Sequence, residues 1–163
     1  MRETVAPADP AEIRKTAEEY YRSGQFYCSE AIVKAINDGF QLGYPESVVR
    51  LASGFPIGIG GAGCSCGAVT GGVMALGMVF GRDQPADPCI DRCLGLAREL
   101  HNLFASRHGF LCCRSLTRGM TLKSPEHMQQ CITFTGEVAE ETAKIILREL
   151  DTSAGIPCPQ PSD

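Results

Sequence analysis

The sequence predicts an all-α fold, a single-domain helical bundle with a central glycine-rich apolar helix. Three observations carry that reading. Apolar residues recur at i, i+3, i+4 and i+7 in several segments. Helix-start signals built from Asp, Ser and Pro precede some of those segments. No convincing strand and no repeat of fixed period is found. At 163 residues the chain fits one ordinary domain and can bury a real core without disulfide staples. The domain is expected over residues 1–150. The segment from 151 to 163, rich in Pro and Ser, reads as a flexible tail whose Cys158 is incidental.

Asp9-Pro10-Ala11-Glu12 reads as a helix start, with Asp9 capping free amides, Pro10 in the first turn and Glu12 placed to complete a capping box. The helix it opens runs to about Arg22 and is ended by Gly24. A second runs from about Tyr27 to Asn37 with an apolar stripe at Cys28, Ala31, Ile32, Ala35 and Ile36, which turns Cys28 inward. Pro45 opens a short helix through Ala52. The glycine loop FPIGIGGAGCSCG then leads into the apolar helix, about Gly67 to Phe80, whose glycines let neighbouring backbones approach closely. The next helix, about Asp87 to Arg107, carries Cys89, Cys93, Leu96, Ala97, Leu100 and Phe104 on one stripe. A loop through HGFLCCRSLTRG reaches Ser124-Pro125-Glu126, a second cap-and-proline start. The last helix runs to about Leu150 with Cys131, Phe134, Val138 and Ile145 facing inward.

The formal charge of -4 gives no electrostatic reason to expect nucleic acid, whose binders cluster Lys and Arg against the phosphates. Nothing between Arg50 and Arg82 is charged, but Pro56 and the loop glycines leave an apolar helix only from about Ala68 to Phe80. That is short of the roughly 20 residues a membrane span needs. The N-terminal MRETVAPADPAEIRK has no apolar core of a secretory signal, so a cytoplasmic location is expected. Gly58-Ile59-Gly60-Gly61-Ala62-Gly63 matches the spacing of a dinucleotide fingerprint but lacks the strands that fingerprint requires. His101, His108 and His127 have no local signature tying them to a thiol and read as surface or packing residues. Glu137, Glu140 and Glu141 read as a solvated face.

Nine cysteines are more than stability requires. In a reducing compartment, cysteines point to metal binding or thiol chemistry. Cys28, Cys66, Cys113 and Cys131 come from separate segments, three of them at or near helix starts, where free amides and the helix dipole stabilise a thiolate. Cysteine's commonest role, a small buried hydrophobe, is the competing reading for each.

With Cys66-Gly67-Ala68-Val69-Thr70-Gly71 at the centre, Cys28 opening CSEAIVKAI, Cys113 in HGFLCCRSL and Cys131 in QQCITFTGEVAEETAKII, the chain resembles the C_GCAxxG_C_C family. These are redox-active proteins marked by a C, CGAxxG, C, C pattern and related to the split-Soret cytochromes c. The resemblance runs from about residue 10 to 150. It implies a helical fold, a redox role and, through those relatives, a two-iron two-sulfur (2Fe-2S) cluster with Cys28, Cys66, Cys113 and Cys131 as ligands. A homodimer follows from the same relatives. Covalent haem is not carried over, because C-x-x-C-H is absent.

Cys64, Cys89, Cys93 and Cys112 exceed the four-cysteine pattern. Cys64-Ser65-Cys66 and Cys112-Cys113 offer two choices at each position, and Cys89 with Cys93 at i, i+4 either complete a larger or second metal site or pack in the core. Two further readings belong to other classes. One is a thiol-disulfide oxidoreductase cycling Cys64 with Cys66, or Cys112 with Cys113. The other is a structural zinc domain, for which the dispersed cysteines are poorly spaced. With no flavin, nicotinamide or haem motif, the expected redox partner is another protein.

Overall fold

A computed structural model describes residues 8–152, so the expected tail and its Cys158 lie outside the described residues. Asp9 caps α1 (Pro10–Arg22) by accepting the Ala11 N–H at 2.9 Å, and Pro10 supplies a first-turn φ. The expected capping box does not form there, because Glu12 pairs with Lys15 at 2.7 Å on the exposed face. A carboxylate does reach back at α2 (Cys28–Gly39), where Glu30 accepts the Tyr27 N–H at 2.9 Å. Its other oxygen takes the Ser53 hydroxyl at 2.7 Å, tying the start of α2 to the start of the glycine loop.

The short helix after Pro45 forms as a 3-10 helix (Glu46–Ala52). Val48, Val49 and Ala52 pack with Val33, Met74 and Met78 as a small second core. The apolar helix, α3 (Gly67–Phe80), has the expected bounds. The next one, α4 (Ile90–His108), begins later than the expected Asp87. The Asp87 carboxylate folds back to accept the Cys89 N–H at 2.9 Å, a local turn that competes with helix. Gly109, at φ 76°, ends α4. The segment read as loop contains one α-turn, α5 (Cys113–Leu116). Ser124 accepts the His127 N–H at 3.2 Å and opens α6 (Pro125–Thr152), whose Pro125 stands at the start as expected.

α6 packs against α1, α2, α3 and α4, while α3 packs against α2, α4 and α6. Between them lies the main core, including the fully buried Ile32, Ile36, Phe40, Leu76, Leu100, Val138 and Ile146. Small residues let these helices close in. A Cβ on Gly71 would stand 2.7 Å from the Ser29 Cα, so α2 and α3 touch backbone to backbone at that level. No strand is found among the described residues, whose β-pairing is an isolated antiparallel bridge between Ser65 and Cys112. No described helix is long and apolar enough to cross a membrane.

Glu137, Glu140 and Glu141 are half-buried ion-pair partners between helices rather than the solvated face expected. Glu140 meets Arg14 of α1 at 2.9 Å, and Glu137 and Glu141 meet Arg107 of α4 at 3.0 and 3.5 Å. Each such partly exposed pair is worth only about 0–1 kcal/mol, so these clips orient the helices more than they hold them.

The backbone contact at Gly71 sets a test against Gly77 in the same helix, where an added Cβ meets nothing within 4 Å. Gly71→Ala should destabilise the fold by about 1–3 kcal/mol through overpacking. Gly77→Ala should be neutral or stabilise it by up to about 1 kcal/mol. Urea denaturation of the two variants reads the difference as opposite movements of the midpoint at unchanged slope.

Candidate four-cysteine redox site

Four elements each deliver one thiol to a single cavity. Cys28 is the first residue of α2, Cys66 the N-cap of α3 and Cys113 the first residue of α5; Cys131 lies in the second turn of α6. All four are free cysteines and line the same cavity. Cys66 and Cys113 are buried, 7% and 8% exposed, whereas Cys28 and Cys131 are partly exposed. Apolar wall is supplied by Ile57, Ala68 and Phe134. Among the described residues, no three or more His, Cys, Asp or Glu side chains converge on the position of a single metal ion. The thiols instead ring the cavity.

The backbone explains why Cys113 and not Cys112 faces inward, while Cys66 is placed there as the N-cap of α3. Residues 64–66 run antiparallel to 111–113, with the Cys66 N–H donating to the Leu111 carbonyl at 2.7 Å and the Cys113 N–H to that of Cys64 at 2.6 Å. Successive side chains in extended pairing alternate sides, so Cys66 and Cys113 share one side while Cys112 goes with Ser65 to the other. Cys112 instead donates its S–H to the Gly63 carbonyl at 2.8 Å. Gly58, at φ 69°, makes the turn that brings the loop against this pair. A Cβ there would stand 2.8 Å from the Cys113 Cβ.

Gly67 plays the corresponding part at the other end of the cavity, since a Cβ on it would collide with the Cys28 Sγ. With Gly71 receiving the α2 backbone one turn later, both glycines of Cys66-Gly67-Ala68-Val69-Thr70-Gly71 have a spatial reason.

The remaining cysteines among the described residues do not line this cavity. Cys64 is exposed, Cys93 is buried in the core beside Leu96, and Cys89 is disulfide-bonded. His101 is exposed and bonded to Asn102. His108 stacks on Phe104 and Phe134, with its Nε2 at 3.0 Å from Glu137. His127 differs from both: it is 3% exposed, lines the cavity and sets its Nε2 3.7 Å from the Cys131 Sγ. The i, i+4 spacing of His127 and Cys131 on one helix was a legible signal for that contact. Nothing local marked Tyr21, which lines the same cavity from α1.

Electrostatically the site favours neutral thiols when nothing cationic is present. Burial pushes Cys66 up to about 12 and also raises Cys28, Cys113 and Cys131, and proximity of the sulfurs adds to the rise. Backbone donors work the other way. The Ser29 and Ile57 amides lower Cys28, and those of Ala68 and Val69 lower Cys66, without overcoming burial. Cys112, outside the cavity, is held below the usual thiol range, chiefly by the Ser115 N–H.

The all-helical fold thus brings four thiols to one cavity. The chain belongs to the C_GCAxxG_C_C family. That family, described as "Putative redox-active protein (C_GCAxxG_C_C)", matches residues 26–145, a span that contains all four cavity cysteines. No curated protein and no solved structure matches the chain.

Raised thiol values fix the sign of a pH effect. A thiol protonated to higher pH in the folded than in the unfolded state gives stability that is complete below the unfolded value, about 8.5, and is lost as pH climbs toward the folded one. Metal-free protein should therefore lose thermal stability steadily above about pH 9, and Cys66→Ala should flatten that slope. At pH 8 on the same native protein, mass-spectrometric mapping should find Cys64 and Cys112 alkylated well before Cys28, Cys66 and Cys113.

Proposed function

We propose that this protein transfers electrons through an iron-sulfur cluster, 2Fe-2S in its simplest form, held by Cys28, Cys66, Cys113 and Cys131. Its electrons go to and come from a partner protein. The observation that carries this reading is the convergence of four free thiols from four elements on one cavity. Bound there, such a cluster would supply one-electron redox chemistry.

The donor set fits. A cluster with four thiolates carries about two negative charges, and one more when reduced. The Ser29, Ile57, Ala68 and Val69 amides, which already lower the proton affinity of these sulfurs, would offset part of that charge. Gly67 admits the Cys28 sulfur, and the apolar wall of Ile57, Ala68 and Phe134 would keep water from the sulfurs. The same iron charge would bring these thiols to their ionised form, in the way metal binding is coupled to ligand deprotonation.

A thiol oxidoreductase is the second reading, and Cys112 favours it: this thiol is only partly buried and its pKa is depressed by backbone donors. The two readings separate on one measurement. Protein purified without oxygen should contain iron and acid-labile sulfide in near-equal amounts, about two or more of each per chain. Cys66→Ser and Cys131→Ser should lose both, and Cys112→Ser should keep them. Folded protein with neither element would overturn the cluster and leave Cys112 as the reactive group.

A further inference from the structure

The four sulfurs are not equivalent in what donates to them. Cys28 and Cys66 sit at helix starts, beside unpaired backbone N–H groups. Cys131 lies inside α6, where backbone amides are committed to the helix, so its donors must come from side chains. One is in place, the imidazole of His127 one turn earlier in α6, while Tyr21 of α1 lines the same cavity.

The tautomer of His127 follows from its second contact. The Lys123 N–H donates to the His127 Nδ1 at 3.3 Å, so Nδ1 is the acceptor and the ring proton resides on Nε2, the atom 3.7 Å from the Cys131 Sγ. Lys123 holds that N–H in place from a left-handed backbone conformation, φ 64°, which a side-chain-bearing residue adopts at some cost. Burial of His127, 3% exposed, lowers its proton affinity, in keeping with a neutral ring that has one proton to give. Tyr21 is buried as well, at 5%, and its ring packs edge-on against Tyr27 on the same cavity wall.

We infer that His127 is a positioning residue that donates a hydrogen bond to the Cys131 sulfur, and that it sets the electron affinity of the site from its α6 side. The inference rests on the iron-sulfur reading for its redox consequence and on geometry alone for the hydrogen bond. A donor that withdraws charge from a ligand sulfur makes reduction easier. The step it biases is the gain of one electron from a one-electron donor, with no bond made or broken.

The experiment has two arms. In the first, ring 15N NMR of the full chain, with or without iron, should show His127 as the Nε2–H tautomer and should show its signal shift in Cys131→Ala; an Nδ1–H tautomer would overturn the inference. In the second, the reduction potential is measured on iron-loaded protein. His127→Leu should lower it, by up to about tenfold in the reduction equilibrium, or 59 mV for one electron. His127→Gln can accept from Lys123 with its amide oxygen and still donate to sulfur, so it should restore most of the loss. A potential equal to wild type in His127→Leu, at unchanged iron content and fold, would overturn the inference and leave the cluster standing. Should His127→Leu fail to fold, the tautomer arm on the wild-type chain decides the hydrogen bond. Iron-free wild type would overturn the cluster reading instead, and the tautomer arm would still decide the hydrogen bond.

Discussion

The approach of α2 to α3 at Gly67 and Gly71 is the constraint on which the site depends. Gly71 admits the Ser29 backbone, and one turn earlier Gly67 admits the Cys28 sulfur. Because the contact falls near the N-terminal ends of both helices, their unpaired amides open toward the same small volume. Ser29 locks the arrangement from behind, its buried hydroxyl donating to the Ala52 carbonyl at 2.9 Å. Spread those helices by the width of a methyl group and Cys28 and Cys66 no longer share a cavity.

Once the helices are together, two opposed effects decide the state of the thiols. Burial and mutual proximity raise their proton affinity, while backbone amides lower it, and for Cys66 burial outweighs the amides. Amides therefore offset only part of the cost of ionising these thiols. Cys112 shows the converse at a distance of one residue. Partly exposed on the far side of the ribbon and beside the Ser115 N–H, it ionises more readily than an ordinary thiol.

Helices were legible where local rules act alone. Asp9-Pro10 and Ser124-Pro125 mark two starts, Gly24 marks an end, and the apolar stripes of α2, α4 and α6 face the core as their spacing implies. Local rules misled where a side chain had a nearer partner. Glu12 found Lys15 rather than the helix start, and Asp87 took the Cys89 amide and delayed α4. The three glutamates of α6 looked like a solvent face, because the arginines that pair with them lie on other helices, far away in sequence.

Sequence alone determined that this chain is helical, that its cysteines outnumber any structural need, and that Cys28, Cys66, Cys113 and Cys131 belong to one pattern, since composition, periodicity and motif order are properties of the linear chain. Only the tertiary structure decided between Cys64 and Cys66, and between Cys112 and Cys113, at the cavity wall. It also brought Tyr21 to the same cavity and His127 to Cys131. Cys66 rather than Cys64 reaches the wall because it caps α3, and Cys113 rather than Cys112 because side-chain direction in the loop is fixed by hydrogen bonds between residues 64–66 and 111–113. That pairing exists only after the helices on either side have packed.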